Sequence, residues 1–321
     1  MDYLYKVLRD PIHGKELLRQ NKILKSADGS EYHVVNDIPR FVNSENYSSD
    51  FGDQWNKFPK TQLDSFSGLN ITETRLKRCL HGNLDKIKGK KILEAGSGAG
   101  RFTEVLLKWG AIVHSFDYSN AVEANKKNNG KSKNFIIVQA DIRQIPFEKY
   151  SYDYVVCLGV LQHTPDTYES IKSLWEMVSP NGVLVFDHYP WKLKLILPTP
   201  FGESISFYRF FVLKLPKKIR FSFVEKLTKF FFPLHWKFKD SKLIQKLLRR
   251  VSPVIFHYPD LCLKDYNQYY EWSLLDTHDA TTDYYKHRKT AKELIGIMES
   301  LGAKYITINE AGNGYEVFCR K

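Results

Sequence analysis

The 321-residue chain has only four cysteines, Cys79, Cys157, Cys262 and Cys319, scattered with no Cys-x-x-Cys pair, which excludes a disulfide framework and a thiolate metal cluster. No run approaches the roughly 18 apolar residues that a membrane-spanning helix needs, so any contact with a bilayer is expected to be peripheral. The opening MDYLYKVLRD lacks the apolar stretch of a secretory signal, and a reducing cytoplasm is the expected setting. Internal repeats and low-complexity tracts are also missing, which excludes a solenoid. Acidic residues are scarce in one place: residues 191–260 hold 15 Lys and Arg against 4 Asp and Glu, so +11 of the net +12 belongs to that stretch, which also carries 15 aromatic residues.

What the sequence does have is a dense glycine turn. In KILEAGSGAGRFTEVLL, residues 91–107, Gly96, Gly98 and Gly100 stand at every second position between an apolar run and a helical pattern of Phe102, Val105, Leu106 and Trp109. Strand, glycine turn and helix start together let a ligand approach bare backbone N–H groups. A dinucleotide-dehydrogenase fingerprint needs its third glycine one position later, where Arg101 stands. A nicotinamide oxidoreductase is therefore disfavoured. Asp117 ends the next apolar run, where a carboxylate can accept both hydrogen bonds of a ribose diol, and Asp141 ends the third, in reach of an adenine amino group.

Apolar runs at 91–94, 111–116, 135–139, 153–158 and 182–187 alternate with helical patterns, the mark of βαβ units and a parallel sheet. The rhythm stops after Pro190 for about a hundred residues and returns as a helix and two strands joined at Asn313-Gly314, which predicts an antiparallel hairpin.

LEAGSGAGRF, FDYS with Asp117, ADIRQIPF with Asp141, and YDYVVCLGVLQHTPD, in that order, resemble the motifs of class I S-adenosylmethionine-dependent methyltransferases. The resemblance covers roughly 91–189 and 289–321. It implies an α/β fold: a Rossmann-like, seven-stranded, mostly parallel sheet with helices on both faces and a reversed final strand. It also implies S-adenosylmethionine as cofactor, held by Glu94, Gly96, Ser97, Gly98, Gly100, Asp117, Tyr118, Asp141, Ile142, Leu158 and Gly159. Residues 1–45 resemble a small bacterial zinc-ribbon module that has lost its cysteines. His13 and His33 remain there without thiolates, so no metal is expected. Residues 46–85 resemble helices that lie over the cofactor pocket in this subgroup, which makes Arg75 a candidate partner for the methionine carboxylate, while Trp55 and Phe58 read as core. The domain is thus expected to comprise 86–190 and 289–321, with 191–288 inserted as a substrate cap.

Within that insert, Phe223, Val224, Leu227, Phe230 and Phe231 share one helical face, and Leu243, Ile244, Leu247, Leu248 and Val251 share another, opposite Lys242, Lys246, Arg249 and Arg250. Both apolar faces are expected to pack inward; attraction to anionic lipid headgroups or a phosphorylated substrate is the sharper alternative, and RNA a weaker third. The acceptor site is expected between GVLQHTPD and a loop LLDTHDATTDYY, with His163, Asp279 and His278 as acid/base candidates and Asp276, Asp187, His188 and Tyr189 nearby. The resulting expectation is methyl transfer to a small molecule, glycan or lipid-linked acceptor. The alternative is a catalytically degenerate fold that keeps the cofactor site and binds a membrane or partner through its basic insert.

Overall fold

The structure, a computed structural model, describes residues 6–43, 46–192, 204–258 and 260–321. The N-terminal residues form four short strands, β1 (Leu17–Gln20), β2 (Ile23–Ser26), β3 (Glu31–Val35) and β4 (Ile38–Pro39), in one antiparallel sheet of that order. So small a sheet cannot bury a core of its own. Leu17, Leu24 and Val34 accordingly join the same apolar cluster as Leu93, Phe116 and Val138 of the main sheet.

Three helical pieces follow, α1 (Ser49–Lys57), α2 (Asp64–Ser67) and α3 (Ile71–Cys79). The central region then alternates β5 (Lys91–Ala95), α4 (Arg101–Lys108), β6 (Ile112–Asp117), α5 (Val122–Asn129), β7 (Phe135–Gln139), β8 (Tyr152–Cys157), α6 (Thr167–Met177) and β9 (Val178–His188). Both faces of these strands are covered, so they read as unbroken apolar runs. Ile92 joins the cluster containing Phe102, Val105 and Leu106 of α4, whereas Leu93 joins the one containing Ile171 and Leu174 of α6.

A cap of four helices interrupts the sheet: α7 (Ile205–Val212), α8 (Lys217–Lys237), α9 (Lys242–Val251) and α10 (Tyr266–Thr282). Phe232, Val254, Phe256, Tyr269 and Trp272 form its own core. The chain closes with α11 (Ala291–Ser300), β10 (Tyr305–Ala311) and β11 (Gly314–Arg320). Helix α11 starts at a capping box, Thr290 with Glu293, and Ala311 pairs with Gly314 across Gly312 and Asn313, as the Asn-Gly signal predicts. The seven-stranded order is β10-β11-β9-β8-β5-β6-β7, with β11 antiparallel to both neighbours and the other central contacts parallel. The chain reverses direction of winding between β5 and β8. In open α/β sheets the crevice at the carboxyl ends of the strands at such a switch is where ligands sit.

Two expectations for the insert are corrected. LLDTHDATTDYY is not a loop: residues 274–282 are the last turns of α10, which begins on the cap of Asp265, whose carboxylate accepts from the Asn267 and Gln268 N–H groups. The apolar faces of α8 and α9 are not wholly inward either. Val224 and Phe232 are buried, while Phe223, Phe230, Leu243, Leu247 and Val251 are exposed.

Candidate active site

The glycine turn is shaped by what each glycine meets. All three have positive φ, 68° at Gly96, 52° at Gly98 and 89° at Gly100, a backbone that side chains resist. A Cβ on Gly96 would lie 2.3 Å from Val160, and one on Gly100 would lie 2.2 Å from Asn125 Oδ1, so these two permit close packing against the loop after β8 and against α5. Gly98 is different. Its open side faces Trp55, 3.4 Å from a built Cβ, and its N–H donates to Asp117 Oδ2 at 2.9 Å. Beneath the turn Glu94 is buried and accepts from Thr103 and Ser115 hydroxyls. Burial pushes its carboxyl up to about 7, against the pull of those hydroxyls. Glu94 is not on the cavity lining; it ties β5 to β6 and α4.

Above the turn lies a cavity of ≈ 970 Å³. Its end at the glycine turn is lined by Gly96, Ser97, Gly98, Asp117, Tyr118 and Ile142, with Leu158 and Gly159 on the β8 side. Asp117 Oδ1 accepts from the Ser119 N–H and hydroxyl at 2.8 and 2.7 Å, which fixes the carboxylate at the strand end. Burial raises its pKa, partly offset by those bonds and by Gly98. Tyr47 stacks on Tyr118 with ring centroids 4.7 Å apart, forming an aromatic wall. Asp141 departs from its expected place: its carboxylate accepts from the backbone N–H, Nε and Nη2 of Arg143 and lies off the cavity lining, while its neighbours Ala140 and Ile142 are on it.

Arg75 of α3 reaches the cavity, where it pairs with Asp187 and stands 3.8 Å from Glu316. Asp187 also accepts from the Gly159 N–H at 2.6 Å. A second guanidinium, Arg101, sits at the start of α4, half-buried over the ring of Phe102 and donating to Gln62 at 2.6 Å. Burial and the nearby Arg75 lower its pKa to about 10. Arg101, Trp55 and Gln62 all line the cavity and were missed as site residues. Arg101 directly after Gly100 is the signal that was present, since a first-turn side chain there borders the ligand face of the turn.

At the other end, Asp276, Asp279 and Asp283 fall on one face of α10 and just beyond it, at spacings of three and four. Asp276 accepts from Gln62 at 3.1 Å and lies 2.6 Å from His257, whose pKa is lowered by burial but raised overall by that carboxylate. Asp283, fully buried, holds Arg209 of α7 at 2.5 Å and Lys286 at 3.1 Å, which ties α7 to the segment after α10, and its Oδ2 lies 3.5 Å from His163 Nδ1 of the core. The Asp279 carboxylate accepts no hydrogen bond among the described residues. It lines the cavity, and burial, then Asp276 and Asp283, push its pKa up to about 8. His163 also lines the cavity; its Nδ1 donates to the Tyr285 carbonyl at 3.1 Å, which places the proton on Nδ1. Burial lowers its pKa to about 4, against the pull of Asp283. Tyr189 lines the cavity beside it, with ring centroids 5.4 Å apart. His278 is elsewhere: it turns off the lining to contact Gln54 Oε1 and the ring of Phe221. Asp279 follows it by one residue, a 100° rotation that separates the two faces. His188 is likewise packed away, bonded to the Tyr189 carbonyl at 3.1 Å.

In the N-terminal sheet the histidine with carboxylate neighbours is His13, with Asp10 and Asp28, rather than His33. These groups are already satisfied by one another and by backbone. Asp10 accepts from the Ile12 and His13 N–H groups and the Tyr32 hydroxyl, and His13 lies 2.9 Å from Asp28. Incubation with a chelator is accordingly expected to leave the thermal unfolding midpoint unchanged, whereas a structural ion would contribute folding energy that the chelator removes; stoichiometric zinc in elemental analysis of purified protein would show otherwise.

Residues 93–186 match the family described as methyltransferase domain. The chain is similar to a ubiquinone biosynthesis O-methyltransferase of Coxiella burnetii, 31% identical over 123 residues, covering 38% of this chain and 53% of that protein. It is also similar to the enzyme of that name from Histophilus somni, 32% identical over 107 residues, covering 30% and 44%. The chain thus spans about half the length of the curated relatives it matches. A solved structure, magnesium protoporphyrin IX methyltransferase of Synechocystis PCC 6803 with bound SAH, aligns over 85% of this chain and 95% of its own at 13% identity and a TM-score of 0.45. Residues 93–186 thus match a methyltransferase domain, set in a Rossmann-like sheet of this strand order, and S-adenosylmethionine is the cofactor that the match implies. The residues fit that cofactor. Ser97 Oγ is buried with no partner among the described residues, Gly98 lines the cavity beside Trp55, and the Asp117 carboxylate and Tyr47–Tyr118 wall border the same space.

Proposed function

We propose that the protein transfers the methyl group of S-adenosylmethionine to an oxygen nucleophile of a small-molecule, glycan or lipid-linked acceptor. The observation that carries this reading is the continuity of the cavity, which runs from the glycine turn to the acidic face of α10 in ≈ 970 Å³. Ligand cavities commonly measure about 300–1,000 Å³, so a volume near the top of that range has room for a donor and part of a second molecule. The relatives named as O-methyltransferases support oxygen as the accepting atom.

Asp117 would hold the ribose, Gly98 and Ser97 the backbone-facing side, and Tyr47 and Tyr118 the base. Arg75 and Arg101 would hold the methionine carboxylate, with Asp187 balancing their charge. When bound, the cofactor supplies a sulfonium methyl, which leaves by in-line displacement. The chain's part is to hold the two reactants collinear and close, at about 3–3.5 Å. A hydroxyl acceptor also needs its proton removed. Asp279 is the group best placed for that, since its carboxylate is uncommitted and its pKa of about 8 gives it strength as a base near neutrality. His163, held neutral with its proton on Nδ1, borders the same space and orients the acceptor.

Calorimetric titration with S-adenosylmethionine, followed by label transfer from methyl-labelled cofactor to a panel of hydroxylated acceptors, tests the reading. Binding of the cofactor with transfer to an oxygen is expected. A folded chain that binds no S-adenosylmethionine would overturn it, and one that binds without transferring to any acceptor in the panel would favour the degenerate, binding-only alternative.

A further inference from the structure

Helices α7, α8 and α9 each bury one stripe and leave a second stripe in water, and the wet stripe is apolar. On α7 it is Phe207, Phe210 and Phe211; on α8 it is Ile219, Phe223, Phe230 and Leu234; on α9 it is Leu243, Leu247 and Val251. Exposure reaches 69% at Phe230 and 70% at Leu243, values that core packing does not leave. On α8 the exposed residues lie on the side opposite Val224, Thr228, Phe232 and His235, the buried ones.

The α8–α9 hairpin does not need these side chains for its own cohesion. A polar pin holds it: His235 Nδ1 meets Gln245 Oε1 at 2.8 Å, His235 Nε2 meets Ser252 Oγ at 2.9 Å, and Gln245 Nε2 donates to the His235 carbonyl at 2.8 Å. The three stripes are also neighbours. Ring contacts run from Phe211 through Phe207, Tyr208 and Phe231 to Phe230, and the Tyr208 hydroxyl donates to the Val251 carbonyl at 2.9 Å.

Beside the apolar stripes stand exposed cations, among them Lys226, Lys229, Lys242, Lys246, Arg249 and Arg250. On α9 the order around the helix is basic, then exposed apolar, then buried, which is the profile of a helix lying in a membrane interface. No helix among the described residues is long and apolar enough to cross a membrane. We propose that this face docks on the surface of an anionic lipid bilayer, with the apolar stripes entering the headgroup boundary and the Lys and Arg side chains pairing with lipid phosphates. Charge complementarity selects this occupant, since the segment's +11 favours a negative surface. A nucleic acid offers the charge but leaves ten apolar side chains without a partner, and a second copy of the chain would set the two basic faces against each other.

The test uses the full chain and sedimenting vesicles of phosphatidylcholine alone or mixed with phosphatidylglycerol. Partitioning is expected to be about tenfold or more stronger to the anionic vesicles, and to fall as salt is raised, because exposed charges are screened over about 10 Å at 0.1 M and about 3 Å at 1 M. Leu243→Glu with Leu247→Glu, on an exposed face, is expected to keep the circular dichroism spectrum of the parent and lose about tenfold or more of the partitioning. Equal partitioning to both vesicle types, or a folded double variant that partitions like the parent, would overturn the proposal. So would a parent that neither type sediments, whether it is a dimer that the double variant dissociates or a monomer retained by an RNA column.

Discussion

Asp117→Ala is expected to weaken S-adenosylmethionine binding by about 10²-fold or more while leaving the chain folded. The argument is geometric and then energetic. The carboxylate stands at the end of β6 on the cavity wall, with one oxygen held by Ser119 and the other by the Gly98 N–H. Oδ2 keeps a lone pair for one ribose hydroxyl, and Oδ1, which accepts twice from Ser119, offers one to the other when the rotatable Ser119 hydroxyl turns away. Two charge-assisted bonds at ~1.5–3 kcal/mol each come to ~3–6 kcal/mol, and every ~1.4 kcal/mol is a factor of ten. The same truncation releases the Gly98 N–H, which loosens the turn and adds to the loss. Asp117→Asn keeps one acceptor oxygen and is expected to fall between the alanine variant and the parent. Calorimetric titration reads both. An alanine variant that is folded and binds as tightly as the parent would remove Asp117 from the ribose site.

The core was legible because its signals are local. Each of the five parallel strands is buried on both faces and therefore appears as an apolar run, and the Asn313 turn needs only neighbouring residues to announce the final hairpin. The glycine turn was legible for the same reason, as a strand end, turn and helix start in which Gly98 meets Trp55. Gly96 and Gly100 carry the same local signature but answer to Val160 and to Asn125, and nothing in the turn's own sequence distinguishes contact with a side chain from contact with a ligand. Asp141 shows a related limit: a strand-end carboxylate matches the expected pattern, yet Arg143 two residues on takes its oxygens.

The insert was less legible, and the reasons differ by element. In α10 the polar residues Asp276, His278, Asp279 and Thr281 resemble a loop in composition, but they continue a helix whose face toward the cavity is acidic and whose other face is packed. In α8 and α9 the periodicity was visible while its direction was not. A stripe at helical spacing marks a face that avoids water or seeks lipid, and only the placement of His235, Gln245 and Ser252 reveals which face the hairpin uses for itself. The Arg209–Asp283 pair, which links α7 to the segment after α10, joins positions 74 residues apart and has no local trace at all.

Asp279→Asn is expected to reduce single-turnover methyl transfer by about 10²-fold or more, the contribution of a positioned general base, while cofactor affinity is retained. Of the three carboxylates along this side of α10, Asp276 is occupied by Gln62 and His257, and Asp283 by Arg209 and Lys286; Asp279 alone presents an uncommitted carboxylate to the cavity. Its pKa of about 8 sets the pH dependence. The base form is the ionised one, so the parent's rate should climb with pH through about 8 and level off, and the asparagine variant should lack that limb. Stability should move the other way. A folded pKa above the unfolded one means that the protonated group contributes fully at low pH, and that this contribution is lost as pH rises from the unfolded value toward about 8. At neutral pH the asparagine variant, which has no proton to retain, should therefore unfold at the same temperature as the parent or higher. Lower activity combined with undiminished stability separates a catalytic carboxylate from a structural one. A variant whose rate stays within a few fold of the parent, or that keeps an inflection near the same pH, would pass the role of base to His163, whose truncation to alanine would then carry the loss.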